Sequence, residues 1–432
     1  MLVIVGAGIS GLTLGYYLKS QGTPYVIIEQ HSTVGGNIQT LHIENRILEL
    51  GPNTLPLKPH VWDLIQDLDL VGEVLYSHSS AKKRFILKSD KYVPLPSNPL
   101  SVFVSPFFNV QSKIKILKDI FKKPNNNLPK HETVYDFFVR HFGTQIADEV
   151  VTPFVSGIYA GDSQKLIVEY AFPTLIDIEK NTGSIIKGFI QYQNKQRSQG
   201  IISFKKGLYT LIEALHKVQK ENIWLNTSIQ KIDFGIQNHT LYLSDKAITT
   251  QQIVFTAPAY SITKYIKSLS HEFANQLTQI YYAPVCVVHS VYPKNAINHK
   301  LDGFGVLHPK KYNTFTLGTI FSSTLFANRT SENEVLLTTF IGEKFLPDNP
   351  QKIQDKVHQE LSKYLQVTQK PIFTHLHIWA RAIPQYEANY EYILPLVHQW
   401  EKNGIYFSGN WLNGISVDRC IEVNRQLAQK LA

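Results

Sequence analysis

The chain has 432 residues, 43% of them hydrophobic and 18% charged, which excludes a disordered protein and suits one large enzyme or a few interleaved domains. A formal net charge of +9 favours an anionic partner and argues against a cationic substrate. Two cysteines, Cys286 and Cys420, provide no disulfide framework and no paired-cysteine metal site, as expected for a reducing compartment.

In chain order, "LVIV" reads as a buried strand and Gly11 to Gln21 as a helix carrying Leu12, Leu14 and Leu18; "PYVIIE" is a second buried strand. "KKRFILKSDKYVPLP" predicts a hairpin turning at Ser89 and Asp90. A helix follows from Gln111 to Lys123, then the breaker-rich link "PNNNLP". Residues 132–220 are mostly helical in pattern, 223–256 revert to short strands, and 284–379 are strand-rich. The chain ends on the strand "GIYFSGN", a glycine turn, and a helix from Asp418 to Leu431. The opening "MLVIV" leaves no room for a signal peptide, and no apolar run reaches the ~20 residues of a spanning helix, so any membrane contact is expected to be peripheral.

"VGAGISG" sets Gly6, Gly8 and Gly11 in the G-x-G-x-x-G pattern between a strand and a helix. The first glycine allows the tight turn, the second lets backbone approach a pyrophosphate, and the third lets the helix pack on the strand. The helix start then presents free N–H groups to that anion. Glu29, at the end of the second strand, is placed to bind ribose hydroxyls. Together these features predict a nucleotide site.

Beyond Glu29 come "VGGNIQT" and "LELGPNT", and late in the chain "NWLNGISVDRCIEVNRQL". These segments resemble the flavoprotein family of amine oxidases, phytoene desaturases and protoporphyrinogen oxidases. The resemblance implies non-covalent FAD on the first loop (Gly6, Ala7, Gly8, Ile9, Ser10 and Gly11), with Glu29, Gln30 and Asn37 beside it. Gly51, Pro52, Asn53 and Thr54, together with Ile229, Trp379, Ile415, Ser416 and Val417, are further implied contacts. One departure stands out: the family places a basic residue directly after the glycine pair and often another two positions later, where this chain has Asn37 and Gln39.

"FVSGIYAGDSQKL", "GSIIKG", "SFKKGLYTLIEAL", "GFGVLHP", "LGTIFSSTLF", "VLLTTFIGE" and "IPQY" resemble, in that order, the oxygen-dependent protoporphyrinogen oxidases. By pattern alone Leu307, Ile320 and Phe340 are core positions and Arg84 a surface arginine. The resemblance implies instead that Arg84 pairs with a substrate propionate and that the Gly157 backbone lies against the tetrapyrrole. It sets Leu307 and Ile320 on one face of the macrocycle and Phe340 on the other.

The implied reaction is hydride transfer from a bridging carbon to N5 of FAD, with O2 reoxidising the flavin to give H2O2. Neither a catalytic side chain nor a metal is expected. The nearest alternative is a coproporphyrinogen III oxidase; an amine oxidase and a flavin- or porphyrin-binding chaperone without turnover are more distant.

The implied fold class joins α/β and α+β: a Rossmann-like FAD-binding domain from residues 1–75, 206–260 and 395–432, a strand-rich substrate domain from 76–97 and 261–394, and a helical membrane-associated domain over 98–205. Within "SVFVSPFFNVQSKIKILKDIFKKP", Ile114, Leu117, Ile120 and Phe121 form an apolar helical face ringed by Lys113, Lys115, Lys118 and Lys122. The expected partners are a tetrapyrrole, O2 and the surface of the cytoplasmic membrane, with a homodimer open and nucleic acid excluded. The expected location is cytoplasmic.

Overall fold

The computed structural model describes residues 1–96, 105, 107–125, 127–195, 200–346 and 349–431. A five-stranded parallel sheet is built from distant parts of the chain. Its order is Ile223–Trp224, β2 (Tyr25–Ile28), β1 (Leu2–Val5), β3 (Ile253–Phe255) and β4 (Ile405–Phe407). β1, β2 and β3 are apolar at every position because both sheet faces are covered. Leu2, Ile4, Tyr25 and Ile27 pack with Leu12 and Leu18 of helix α1 (Ile9–Ser20) and Ile421 of α2 (Val417–Leu431). The alternate residues Val3, Val5, Val26 and Ile28 belong to the core that holds Ile262 and Ile266 of the Ala259–Leu269 helix.

A second sheet has seven strands, in the order Phe373–Pro384, Tyr282–Pro293, Glu334–Gly342, Gly318–Ile320, Gly305–Leu307, Phe85–Lys88 and Lys91–Pro94. The last two form the expected hairpin, and its turn residues Ser89 and Asp90 both take positive φ. One sheet face is covered by a 16-residue helix, Pro350–Leu365, which buries Ile353, Val357 and Leu361 against Val288, Leu337 and Ile341. That helix interrupts the region expected to be strand-rich. Its apolar residues recur every four positions, a helical spacing masked by the long strands on either side. Ile201–Phe204, in the stretch expected to be mostly helical, is a strand that pairs with Leu55–Pro56 and Val74–Tyr76.

The third part is helical. Asn109 and Thr133 cap the Val110–Ile120 and Val134–Phe142 helices by accepting from the amides of Ser112 and Asp136. Val110, Ile114, Leu117 and Phe121 are exposed, while Ile116 is buried. Ile120 is only half-buried and contributes less to the exposed face than expected. Lys122 leans inward to Asp119, 3.7 Å away, so the basic ring consists of Lys113, Lys115 and Lys118. Residues 101–104 and Pro106 of the expected membrane segment lie outside the described residues.

A buried ion pair joins the Arg46–Glu49 strand to the loop that precedes Glu334–Gly342. Arg329 lies 3.6 Å from Glu49 and donates to the Ser203 hydroxyl, while Glu49 accepts from Thr40 and from the Leu208 amide. Burial raises the Glu49 pKa and Arg329 lowers it. A carboxyl whose folded pKa is raised stabilises the fold at low pH and loses that contribution as pH rises through the folded value. Arg329→Met is therefore expected to cost ~3–5 kcal/mol at neutral pH, with the loss shrinking at acidic pH as Glu49 takes up a proton. Urea unfolding at the two pH values checks this; an equal loss at both would show that the charge pair is not the cause.

Candidate functional site

A cavity of about 300 Å³ opens where three helices begin; Ile9 and Ser10 of α1, Tyr260 and Ser261 of the Ala259–Leu269 helix, and Val417 of α2 line it. Each helix start carries partial positive charge and unsatisfied N–H groups, so the cavity suits an anion. The loop from Gly6 to Gly11 forms its floor. A Cβ on Gly11 would lie 1.9 Å from the Gly6 carbonyl oxygen, whereas one on Gly8 would have nothing within 4 Å. The third glycine is thus required by packing, and the second leaves backbone open to a ligand. At the far end, the Glu29 carboxylate accepts from the Ala7 amide at 2.8 Å and the His31 amide at 2.9 Å. Those two bonds fix the carboxylate at the cavity edge while leaving acceptor capacity for hydroxyl groups.

Of the residues expected at a cofactor, Gly6, Gly8, Ile9, Ser10, Glu29, Gln30, Asn37, Pro52, Ile229, Ile415 and Val417 line this cavity. Ala7 and Gly11 support the loop from behind, and the Ser416 carbonyl accepts from the Cys420 amide. Gly51, Asn53, Thr54 and Trp379 lie toward the second sheet: Trp379 Nε1 donates to the Leu50 carbonyl at 2.7 Å, and Asn53 Nδ2 to the Gly51 carbonyl at 3.1 Å. A separate void of about 10 Å³ is bordered by Asn53, Ile320, Thr338 and Arg329.

Strand register places the expected substrate residues. Leu307 pairs with Gly318, Gly318 with Phe340, Phe340 with Val287, and Val287 with His377. The neighbouring row of the same face runs Gly305, Ile320, Thr338, His289, His375, and the row on the other side holds Gly342, Val285 and Trp379. Side chains two positions apart share a face, so Leu307, Ile320, Phe340 and Trp379 all point to one side. Arg84 precedes Ile86, the partner of Leu307, by two residues and joins that side, with its guanidinium 4.8 Å from the Phe304 ring centre. Arg84 is exposed and pairs with no acidic side chain among the described residues.

Over this face lies the helix Thr152–Tyr159. Gly157 is exposed, and a Cβ there would come within 2.6 Å of Leu307 Cδ2. The segment that follows is locked in place. Ala160 takes left-handed φ of 49°, and Gln385 Nε2 donates to the Tyr159 carbonyl at 2.8 Å. A Cβ on Gly161 would strike Gln385 Oε1 at 1.9 Å. "FVSGIYAGD" and "IPQY" are therefore two sides of one contact.

Burial pushes the imidazoles of His289 and His308 down, to about 3 and about 4, so both are neutral near pH 7. Among the described residues no group of His, Cys, Asp or Glu could hold a metal ion. Sequence reasoning missed Tyr260, Ser261 and Cys420 as cavity residues. The signal was present in "QQIVFTAPAY", a third buried strand passing through a proline turn into a helix.

The family model for flavin-containing amine oxidoreductases matches residues 9–431. The chain belongs to that family. Within it, the chain is 30% identical to protoporphyrinogen oxidase 2, chloroplastic/mitochondrial, of Arabidopsis thaliana, over 97% of this chain and 91% of that relative. It is 23% identical to the coproporphyrinogen III oxidase of Bacillus subtilis, over 98% of this chain and 95% of that protein. A solved Exiguobacterium protein shares the fold with a TM-score of 0.81 at 19% identity, covering 100% of this chain and 98% of that one. As a family member, the chain is an FAD-dependent oxidoreductase.

Both cysteines of this flavoenzyme are buried; burial pushes the Cys420 thiol up to about 11 and the Cys286 thiol up to about 12. Native protein at pH 8 is expected to give no thiol titre with a disulfide reagent, and two equivalents after denaturation. Rapid labelling of Cys420 in the folded protein would contradict this picture of the cavity wall.

Proposed function

We propose that the chain oxidises protoporphyrinogen IX to protoporphyrin IX, with FAD as the immediate electron acceptor and O2 reoxidising it to yield H2O2. The observation that carries this reading is the single sheet face that brings Arg84, Leu307, Ile320 and Phe340 to the side of Trp379, with Gly157 against Leu307. Bound FAD supplies the two-electron acceptor. The residues proposed to hold it are the Gly6–Gly11 loop, Glu29, Gln30 and Asn37 at the nucleotide end. The proposed flavin-end contacts are the turn 51–54 and Ile229, Trp379 and 415–417.

The protein's part is to bind and orient. Leu307 and Ile320, with the bare backbone of Gly157, give a broad apolar slot for a macrocycle, and Phe340 offers a ring to stack on it. Arg84 supplies a two-pronged donor for a propionate at the rim. A cation left where a hydride departs between two pyrroles is delocalised by those pyrroles, so no protein base is needed at that carbon.

The scarcity of unpaired cations favours two propionates over four: Lys88 and Lys311 share Glu149 at 3.2 and 2.6 Å, Lys310 pairs with Asp162 at 3.3 Å and Lys83 with Asp302, so three carboxylates balance three of these four positive charges. The second reading, coproporphyrinogen III oxidation, draws its support from the Bacillus relative. Porphyrin fluorescence during aerobic incubation with each porphyrinogen separates them: faster formation of protoporphyrin IX supports the first, and faster coproporphyrin III overturns it. Gly157→Val is expected to lower kcat/KM about a hundredfold while retaining FAD.

We also propose three domains, with the boundaries given from sequence, and a peripheral membrane contact through the helical one. Val110 and Phe121 are 72% and 79% exposed, Ile114 and Leu117 46% each, on one stripe flanked by Lys113, Lys115 and Lys118. No helix among the described residues is long and apolar enough to cross a membrane. An apolar stripe flanked by lysines fits an anionic bilayer surface. Leu117→Glu with Phe121→Glu is expected to abolish co-sedimentation with anionic vesicles; undiminished binding would rule this helix out.

A further inference from the structure

The cavity proposed to take the FAD pyrophosphate has no lysine or arginine among its lining residues. Position 37, directly after the glycine pair, holds a neutral asparagine. The helix starts around the cavity each offer the equivalent of about half a charge, which leaves a doubly negative diphosphate incompletely balanced. A cation is available from the other sheet. Asn37 Nδ2 approaches the Ala382 carbonyl at 3.5 Å, which brings the Phe373–Pro384 strand to the cavity rim.

The neighbour of Ala382 on that strand is Arg381, which is exposed and forms no ion pair with any described residue. Its guanidinium sits 4.6 Å from the ring centre of Tyr260, and Tyr260 lines the cavity. Tyr260 is itself braced edge-on by Tyr282 at 4.9 Å, and the Tyr282 hydroxyl accepts from the Ala259 amide at the helix start. Arg381 is thus held at the rim between residue 37 and one of the helix starts that face the anion.

We propose that Arg381 is a cofactor-binding residue whose guanidinium pairs with the diphosphate of FAD, replacing from the substrate sheet the basic side chain absent at position 37. The Tyr260 ring pre-orients the guanidinium by cation–π contact, so little side-chain entropy is lost when the anion binds. Bound FAD then ties the two sheets together.

The inference rests on the proposed orientation of FAD, and its test uses no porphyrinogen, so failure of the substrate reading would leave it standing. FAD binding to flavin-stripped protein is measured by quenching of flavin fluorescence across a salt series. Arg381→Gln is expected to weaken FAD on the order of tenfold to a hundredfold and to flatten the salt dependence. Arg381→Lys should keep much of the affinity, and adding Asn37→Arg to Arg381→Gln should restore it. Riboflavin, which lacks the diphosphate, should bind wild type and Arg381→Gln equally. Wild-type FAD affinity and salt dependence in Arg381→Gln would overturn the proposal. So would a loss that neither Lys nor Asn37→Arg repairs, because that pattern belongs to a packing role on Tyr260.

Discussion

Side chains on a strand alternate between the two sheet faces, and this period of two is the constraint on which the site depends. A one-residue slip of Glu334–Gly342 would turn Phe340 away from Trp379 and set Thr339 in its place. Register is held from behind by the Pro350–Leu365 helix, which packs on Val288, Leu337 and Ile341, the residues between the site-facing ones. It is held from the front by Trp379 Nε1 on the Leu50 carbonyl and by His289 Nε2, 3.1 Å from the Glu49 carbonyl oxygen. The sheet that presents the proposed macrocycle surface is thereby docked onto the turn beside the cavity proposed for the flavin.

That arrangement assigns different physical work to the two halves. The parallel sheet gathers helix starts and backbone donors, which suit a phosphate-bearing cofactor without many charged side chains. The mixed seven-stranded sheet offers aliphatic and aromatic side chains, with Arg84 beside them, which suits a large apolar ring with anionic arms. The buried Arg329–Glu49 pair ties the loop before Glu334–Gly342 to the Arg46–Glu49 strand.

Much of this was legible in the sequence. The first strand, glycine turn and helix, with Glu29 beyond them, follow local rules, and so does the hairpin whose turn residues Ser89 and Asp90 need positive φ. The segments that close the parallel sheet were recognisable as strands, but their neighbours were not, because which strand lies beside β1 is decided by packing between Ile253 and Val3 rather than by local pattern. The Pro350–Leu365 helix was hidden by its flanking strands. Nothing local in the sequence singles out Arg381 and Tyr260, since their contact joins parts of the chain more than a hundred residues apart. The contact between Gly161 and Gln385 shows why two bland motifs carried specific information together: each excludes a side chain that the other would meet.

The most direct test of the account is anaerobic mixing of FAD-loaded protein with protoporphyrinogen IX while the flavin's visible absorbance is followed. If the macrocycle lies on the sheet face beside the flavin, the absorbance bleaches at a rate that rises and saturates with substrate, and admitting oxygen restores it. A flavin that stays oxidised at every protoporphyrinogen concentration would contradict the account.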